Sequence, residues 1–104
     1  MDRVLLGSAI KNSKIVWHRH ALERMLERRP SRKAVKDVLL CGEIIEEYSD
    51  DKPYPSALFF GWLGLEPLHV VVALDHVSGW SFIITAYNPD LDCFESDYKT
   101  RRRT

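Results

Sequence analysis

The sequence predicts one α+β domain, in which an N-terminal helical hairpin packs on an antiparallel meander sheet of four strands, or of five. Three observations predict this class. A chain of 104 residues has the length of a single domain, and 45% apolar residues with three tryptophans suffice for one hydrophobic core. Helical periodicity is confined to residues 19–42. Beyond it, short β-branched and aromatic runs alternate with turn residues.

Two adjacent helices are predicted between residues 19 and 42. The first has an apolar stripe from Ala21 to Leu26 and ends at Pro30, because a proline ring prevents the helix from continuing. The second has an apolar stripe from Ala34 to Leu39, with Ser31 as the expected N-cap and Gly42 as the expected C-cap residue. The short connection makes the pair a tight hairpin.

Four strands are predicted to follow as an antiparallel meander, because only short turn segments separate them. They cover residues 44–48, 56–63, 68–75 and 80–87, and residues 15–17 are a candidate for a fifth, short strand. The ends of the domain, residues 1–14 and 99–104, show no firm period, and we expect them to be flexible.

The alternation of the last two strands predicts which side chains share a face. Each strand has a wholly apolar face: Leu68, Val70, Val72 and Leu74 in one, and Trp80, Phe82, Ile84 and Ala86 in the other. Cross-strand neighbours point the same way, so the two apolar faces should coincide. The opposite face then carries His69 together with Thr85 and Tyr87.

Charge and cysteine content limit the classes of function. The net charge of zero argues against a polycationic nucleic-acid binder. Seven Lys or Arg between residues 18 and 36 nevertheless suggest a basic groove, although a solvated helix face explains them equally well. Cys41 and Cys93 lack the spacing of a disulfide framework or a metal site, so we predict neither metal nor cofactor. No segment is apolar enough to span a membrane, which leads us to expect a cytoplasmic location.

The first predicted helix carries a basic ridge. His20, Arg24 and Arg28 recur every four residues, and the planar guanidinium groups match phosphate oxygens. An ordinary amphipathic helix with basic flanking residues has the same pattern.

Other groups suit the handling of RNA. Cleavage through the ribose 2′-hydroxyl needs a base, an acid and positive charge, and the imidazole of His69 can serve either proton role without a metal. Tyr54, between two prolines, is a candidate to stack on a nucleobase or, equally, to pack over the sheet edge. Glu43 and Glu46 are candidate bases, or counter-charges for the basic helices.

A string of motifs in fixed order resembles the domain of unknown function 4258 family. The motifs are His20-Ala-x-x-Arg24-Met-x-x-Arg28, Gly42-Glu43-Ile-Ile, Asp51-Lys-Pro53-Tyr54-Pro55, Pro67-Leu-His69-Val-Val and Thr85-Ala-Tyr87-x-Pro89. That family is in turn remotely similar to the RelE-like and BrnT-like toxins of toxin–antitoxin pairs, which are small α+β ribonucleases. The resemblance implies a RelE- or barnase-like sheet, metal-independent cleavage of RNA, and restraint by an antitoxin protein.

The leading hypothesis is therefore an endoribonuclease toxin with a site formed from both ends of the motif string. The predicted catalytic residues are His20, Arg24, His69 and Tyr87, and the predicted substrate-binding residues are Arg28, Tyr54, Thr85 and Glu43. One of the two histidines would be the base and the other the acid. This mechanism fails if His20 and His69 lie on opposite sides of the sheet.

Two alternatives come from other classes. The first is a non-catalytic module that keeps the toxin-like fold and binds protein or RNA through its basic helical hairpin and its charged C-terminal tail. The second is a subunit of a homodimer formed through the sheet edge.

Overall fold

The structure, a computed structural model, describes residues 1–28 and 30–102, and the side chain of Arg28 lies outside the described part. The α+β class predicted from the sequence is confirmed. The described helices are α1 (Arg3–Lys11), α2 (Arg19–Arg28) and α3 (Arg32–Cys41), and the described strands are β1 (Ile15–Trp17), β2 (Glu43–Tyr48), β3 (Ser56–Leu63), β4 (Glu66–Leu74) and β5 (Ser81–Tyr87).

The five strands form one sheet in the order β1-β5-β4-β3-β2. Strands β2 to β5 are the predicted antiparallel meander, and β1 is the candidate fifth strand. However, β1 pairs with β5 in parallel, so the sheet is mixed and not wholly antiparallel. A parallel pair needs a long crossover connection, which the two helices and three further strands between β1 and β5 supply.

The helical hairpin has the predicted limits. Helix α2 ends before Pro30, and the Ser31 hydroxyl accepts a hydrogen bond from the Ala34 amide at 3.0 Å. At the other end of α3, the amide of Gly42 donates to the Val38 carbonyl at 2.7 Å. The N-cap and C-cap interpretations of Ser31 and Gly42 are confirmed.

Helix α1 was missed by the sequence analysis, which expected residues 1–14 to be flexible. Its N-cap is Asp2, whose carboxylate accepts from the Leu5 amide at 3.0 Å. Leu6, Ala9 and Ile10 lie at helical spacing and are buried in the core. With only two turns, the segment is too short to show a clear period in the sequence, and packing on the rest of the domain stabilises it.

The helices cover one face of the sheet, here called the helical face. Val70 and Val72 of β4 belong to this face and share the core cluster with Ala21 and Met25 of α2 and with Val35 of α3. Side chains alternate along a strand, so the residues between them point to the opposite side, here called the second face. The C-terminal segment, residues 88–102, crosses the second face.

The C-terminal segment packs against the second face. Phe94 is 2% exposed and packs its ring against that of His69, with 4.6 Å between centroids. Lys99 and Arg101 form ion pairs with Glu43 and Glu46 of β2 at 2.6 and 2.8 Å. The flexibility expected for residues 99–104 stays a prediction, and residues 103 and 104 lie outside the described part.

A β-bulge in β5 changes the predicted faces. Val71 pairs with Thr85 and Val72 pairs with Ile83, which leaves Ile84 as the extra residue. Ala86 therefore lies on the helical face, whereas Phe82, opposite Ala73, lies on the second face. The expectation that residues 80, 82, 84 and 86 form one face was wrong on the N-terminal side of the bulge.

Candidate functional site

The sheet separates the two predicted halves of the active site. His20 and Arg24 belong to α2, which packs on the helical face through Ala21 and Met25. His69 and Tyr87 belong to the second face, where they are directly paired across β4 and β5. The four side chains do not converge in one cleft. A mechanism that uses both histidines is therefore incompatible with the fold.

The register predicted for His69, Tyr87 and Thr85 is confirmed. The pairs His69–Tyr87 and Val71–Thr85 are adjacent rungs of the same hairpin, so the three polar side chains share the second face. The rings of His69 and Tyr87 meet edge to face at 5.3 Å, and the Tyr87 hydroxyl lies 3.3 Å from Nδ1 of His69. Sequence alternation alone was sufficient for this part of the site.

His69 is fully enclosed, with no exposed surface. Its ring contacts the rings of Phe60 and Phe94, and its Nε2 lies 2.6 Å from the Tyr98 carbonyl oxygen. A carbonyl can only accept, so Nε2 carries the proton and the Tyr87 hydroxyl donates to Nδ1. Both nitrogens are thus engaged in internal hydrogen bonds.

Burial also determines the charge of His69. Desolvation lowers the pKa of its imidazole below the ordinary value of 6.5, the hydrogen bond to Tyr98 opposes this, and the nearby Arg101 charge lowers the pKa further. The ring is neutral at pH 7. A neutral, enclosed ring with two bonds holds the Tyr87 phenol in place and does not itself meet a substrate.

Glu46, Tyr48 and Arg101 form a second polar group beside this pair. The Tyr48 hydroxyl donates to one carboxylate oxygen of Glu46, and Nε of Arg101 donates to the other at 2.8 Å. The Arg101 side chain is 54% exposed, and that of Glu46 is 24% exposed, so solvent reaches both. We call Glu46, Tyr48, His69, Tyr87 and Arg101 the polar cluster.

The members of the polar cluster influence one another's protonation. Desolvation raises the pKa of Glu46, but the hydrogen bonds from Arg101 and Tyr48 outweigh it, so the pKa lies below 4.5 and the carboxylate is ionised at pH 7. Burial raises the pKa of the Tyr87 phenol, and the charge of Arg101 partly opposes this. Burial and the bond to Glu46 likewise raise the pKa of Tyr48. The cluster therefore combines an anionic acceptor, a fixed cation and two protonated phenols.

Thr85 lies at the margin of this cluster. Its Oγ1 is buried and has no hydrogen-bond partner among the described residues. Such a group costs free energy unless a further partner satisfies it.

A bulge in β2 explains the position of Glu46. Glu43 pairs with Phe60 and Glu46 pairs with Leu58, while Ile45 is the extra residue between them. In a regular strand, residues three apart would point to opposite faces, whereas here both glutamates lie on the second face. Glu43 forms an ion pair with Lys99, and among the described side chains it forms none with the basic helices.

An open pocket of about 580 Å³ adjoins the cluster at the β2–β3 side of the sheet, and we call it the edge pocket. It is lined by Asp37, Val38, Cys41, Gly42, Glu43, Phe60, Gly61, Trp62, Asp97 and Lys99. Its floor depends on a close approach of α3 to β3, since a Cβ atom on Gly42 would lie 2.5 Å from the Phe60 carbonyl oxygen.

The remaining predicted residues are dispersed. His20 is exposed and Arg24 is partly buried on α2, while the side chain of Arg28 lies outside the described part. Tyr54 is half-buried and stacks on Phe82, with 5.2 Å between ring centroids and an angle of 17°. This geometry matches the alternative in which Tyr54 packs over the sheet.

Of the three residues that complete the polar cluster, Glu46 was predicted only as a candidate base or counter-charge beside Glu43, and Tyr48 and Arg101 were not predicted. The β2 bulge that places Glu46 on the second face has no signal in the sequence, and Arg101 lies 55 residues from Glu46 in the chain. The C-terminal run of three arginines was the only sequence signal for a cation at the site, and it does not indicate which carboxylate would pair with it.

Within residues 1–28 and 30–102, no group of three or more His, Cys, Asp and Glu side chains is arranged to hold a metal ion. In the same part of the chain, no helix has both the length and the apolar character needed to cross a bilayer. Cys41 and Cys93 are exposed and free.

A sequence profile of the family described as Domain of unknown function (DUF4258) matches residues 17–88. The chain belongs to the DUF4258 family. The match contains α2, α3 and all four strands of the meander, but only the last residue of β1, and neither α1 nor most of the C-terminal segment. Arg101, which completes the polar cluster of this DUF4258 protein, lies outside the matched region. No curated protein and no solved structure matches the chain.

Proposed function

We propose that this DUF4258 protein is a metal-independent endoribonuclease, the toxin of a toxin–antitoxin pair, and that its active site is the polar cluster on the second face. The observation that carries the proposal is the partly exposed ion pair of Glu46 and Arg101 beside two protonated phenols. A base, a cation and a proton donor are the groups that cleavage of RNA through the 2′-hydroxyl requires.

A residue of the polar cluster is available for each step of RNA cleavage. Glu46 takes the proton of the ribose 2′-hydroxyl as its oxygen bonds to phosphorus, and Arg101 stabilises the charge on the pentavalent phosphorus. The Tyr87 hydroxyl turns away from Nδ1 of His69 and gives its one proton to the 5′-oxygen as the bond from phosphorus to that oxygen breaks. The products are a 2′,3′-cyclic phosphate and a free 5′-hydroxyl.

His69 is a positioning residue in this proposal. Its neutral ring accepts from the Tyr87 hydroxyl and donates to the Tyr98 carbonyl, so it fixes the phenol beneath the C-terminal segment. His20 and Arg24 have no part in the reaction, because they lie on the other side of the sheet.

The toxin context rests on the sequence resemblance to RelE-like and BrnT-like toxins. It implies a cytoplasmic protein whose partners are RNA and an antitoxin protein. We propose that the antitoxin covers the second face, since that face holds the groups whose access would have to be blocked.

Cleavage of single-stranded RNA by the purified protein tests the proposal. We expect wild type to cut in the presence of EDTA and to leave 2′,3′-cyclic ends, and Glu46→Gln and Arg101→Ala to lose about 100-fold or more of the rate. His20→Ala and Arg102→Ala are the matched controls, because one lies behind the sheet and the other pairs with Glu95. Both controls should cut RNA at the wild-type rate.

Expression of the same variants in cells provides the second readout. The proposal predicts growth arrest by wild type and by both controls, and none by Glu46→Gln. If wild type neither arrests growth nor cuts RNA, the toxin proposal is wrong.

The enclosure of His69 favours a second candidate, a non-catalytic module that binds protein or RNA. In that case the basic residues of α2 carry the interaction. Charge reversal at Arg24, which is partly exposed, weakens binding, while His69→Gln and Glu46→Gln do not. A homodimer through the sheet edge would use β1 or β2, which are the two edge strands of the sheet. Light scattering across a range of concentrations would detect such a dimer.

A further inference from the structure

The edge pocket and the polar cluster are neighbours that share parts of their walls. The Phe60 ring lines the pocket and also contacts the His69 ring, with 5.6 Å between centroids. On β2, Glu43 lines the pocket and Glu46 belongs to the cluster. A ligand that extends over the second face would therefore meet both sites.

The wall of the pocket offers a flat aromatic surface. Trp62 is 54% exposed, although it lies in a strand of the sheet. Its indole is held by edge-to-face contacts with Phe60 and Tyr98, at 5.4 and 5.8 Å between centroids. A large aromatic side chain that is fixed in orientation yet open to solvent is suited to stacking on a planar ligand.

One ion pair in the pocket remains accessible to such a ligand. Nζ of Lys99 lies 2.6 Å from the Glu43 carboxylate, and the two side chains are 43% and 53% exposed. The other two acidic residues of the lining are engaged elsewhere. Asp37 pairs with Lys33 at 2.9 Å, and Asp97 accepts bonds from the Lys99 and Thr100 amides in a turn.

We propose that the edge pocket binds a guanine base of single-stranded RNA. The base would stack on Trp62, and the two carboxylate oxygens of Glu43 would accept hydrogen bonds from its N1–H and N2–H groups. Lys99 would donate to its O6 atom. Among the four RNA bases, only guanine has two adjacent donors beside an acceptor on its Watson–Crick edge, which is the pattern that a carboxylate next to an ammonium group complements.

The volume of the pocket agrees with this occupant. At about 580 Å³ it falls within the range of roughly 300–1,000 Å³ that is common for small-molecule sites. This inference rests on the proposed function and deepens it, because it names the base that is held beside the phosphate at Glu46 and Arg101.

Equilibrium binding of the four nucleoside 3′-monophosphates to the full chain tests the assignment without requiring cleavage. We expect guanosine 3′-monophosphate to bind at least about tenfold more tightly than those of adenosine, cytidine and uridine, measured by calorimetry. Trp62→Ala should weaken guanosine binding about tenfold or more, since stacking on an aromatic side chain is typically of that size. Glu43→Gln should remove the preference for guanosine, because an amide offers one acceptor in place of two.

Trp80→Ala is the matched control, since Trp80 is 40% exposed at the far end of the β4–β5 hairpin and does not line the pocket. It should bind guanosine 3′-monophosphate as wild type does. Equal affinity for the four nucleotides, or a guanosine preference that survives both pocket substitutions, would overturn the assignment.

Cleavage assays separate this inference from the proposed function. Selective guanosine binding by a protein that cuts no RNA would leave the pocket assignment in place and refute the ribonuclease. Cutting of RNA by a protein that binds the four nucleotides equally would refute the pocket assignment and leave the ribonuclease proposal in place.

Discussion

The buried imidazole of His69 should make the stability of the fold depend on pH between 7.5 and 5.5. Its pKa in the folded protein lies below 6.5, the value for an exposed histidine, because burial disfavours the charged ring. The unfolded chain therefore takes up a proton near pH 6.5, and the folded chain does so only at lower pH. Stability is fully present above pH 6.5 and is lost as the pH falls below it.

The size of the effect follows from the linkage relation. For each pH unit between 6.5 and the lowered pKa of the folded state, the free energy of unfolding should decrease by up to about 1.4 kcal/mol. The carboxylates of Glu46, Asp75 and Asp97 have lowered pKa values, so their contribution is lost only as the pH falls below about 4.5. The pKa values of Tyr48 and Tyr87 are raised from 10, which places their titration above the range.

Urea unfolding followed by tryptophan fluorescence at a series of pH values measures the decrease. His69→Gln should abolish this pH-dependent decrease in the free energy of unfolding, because glutamine retains a donor for the Tyr98 carbonyl but takes up no proton. His20→Gln is the matched control and should keep it, since His20 is exposed on α2. A free energy of unfolding that stays constant from pH 7.5 to 5.5, or one that decreases equally in His69→Gln, would refute the reasoning. If His69→Gln does not fold, NMR titration of the His69 ring in the wild-type protein tests directly whether its pKa lies below 6.5.

Three further substitutions test the packing around the site, each by urea unfolding. Gly42→Ala should destabilise the fold by about 1–3 kcal/mol, since its Cβ would lie 2.5 Å from two backbone carbonyl oxygens; a cost near zero would mean that α3 and β3 can separate freely. Ser31→Ala should cost about 1 kcal/mol through loss of the N-cap bond to the Ala34 amide, and Ser31→Asp, which keeps an acceptor, should restore most of it. Thr85→Val should be neutral or stabilising, because it replaces a buried hydroxyl without a described partner by a methyl group; a loss above about 1 kcal/mol would indicate that Oγ1 is hydrogen-bonded in solution.

Local chemistry was enough to predict much of this fold. The caps at Ser31 and Gly42 depend on residues three or four positions away, so their signals are complete in the sequence. The pairing of His69 with Tyr87 depended only on the period of two in adjacent strands, and the β5 bulge left it intact because it lies beyond Val71. Predictions that relied on short-range geometry were the ones that the structure confirmed.

Other features escaped the sequence because they depend on irregularities or distant contacts. A single extra residue in a strand reverses the faces of all residues on one side of it. The sequence around Ile45 and Ile84 contains no signal that predicts the two bulges. Helix α1 depends on tertiary packing for its stability, so two turns without a long apolar stripe gave no clear period.

The sequence by itself thus determined the α+β class, the helical hairpin, the meander and the shared face of His69, Thr85 and Tyr87. Only the tertiary structure decided that the helices cover the other face, which separates His20 and Arg24 from that group. It also decided that the C-terminal segment encloses His69 and brings Arg101 to Glu46. The physical reason is that alternation fixes which side chains point together, whereas what covers them depends on contacts between residues far apart in the chain.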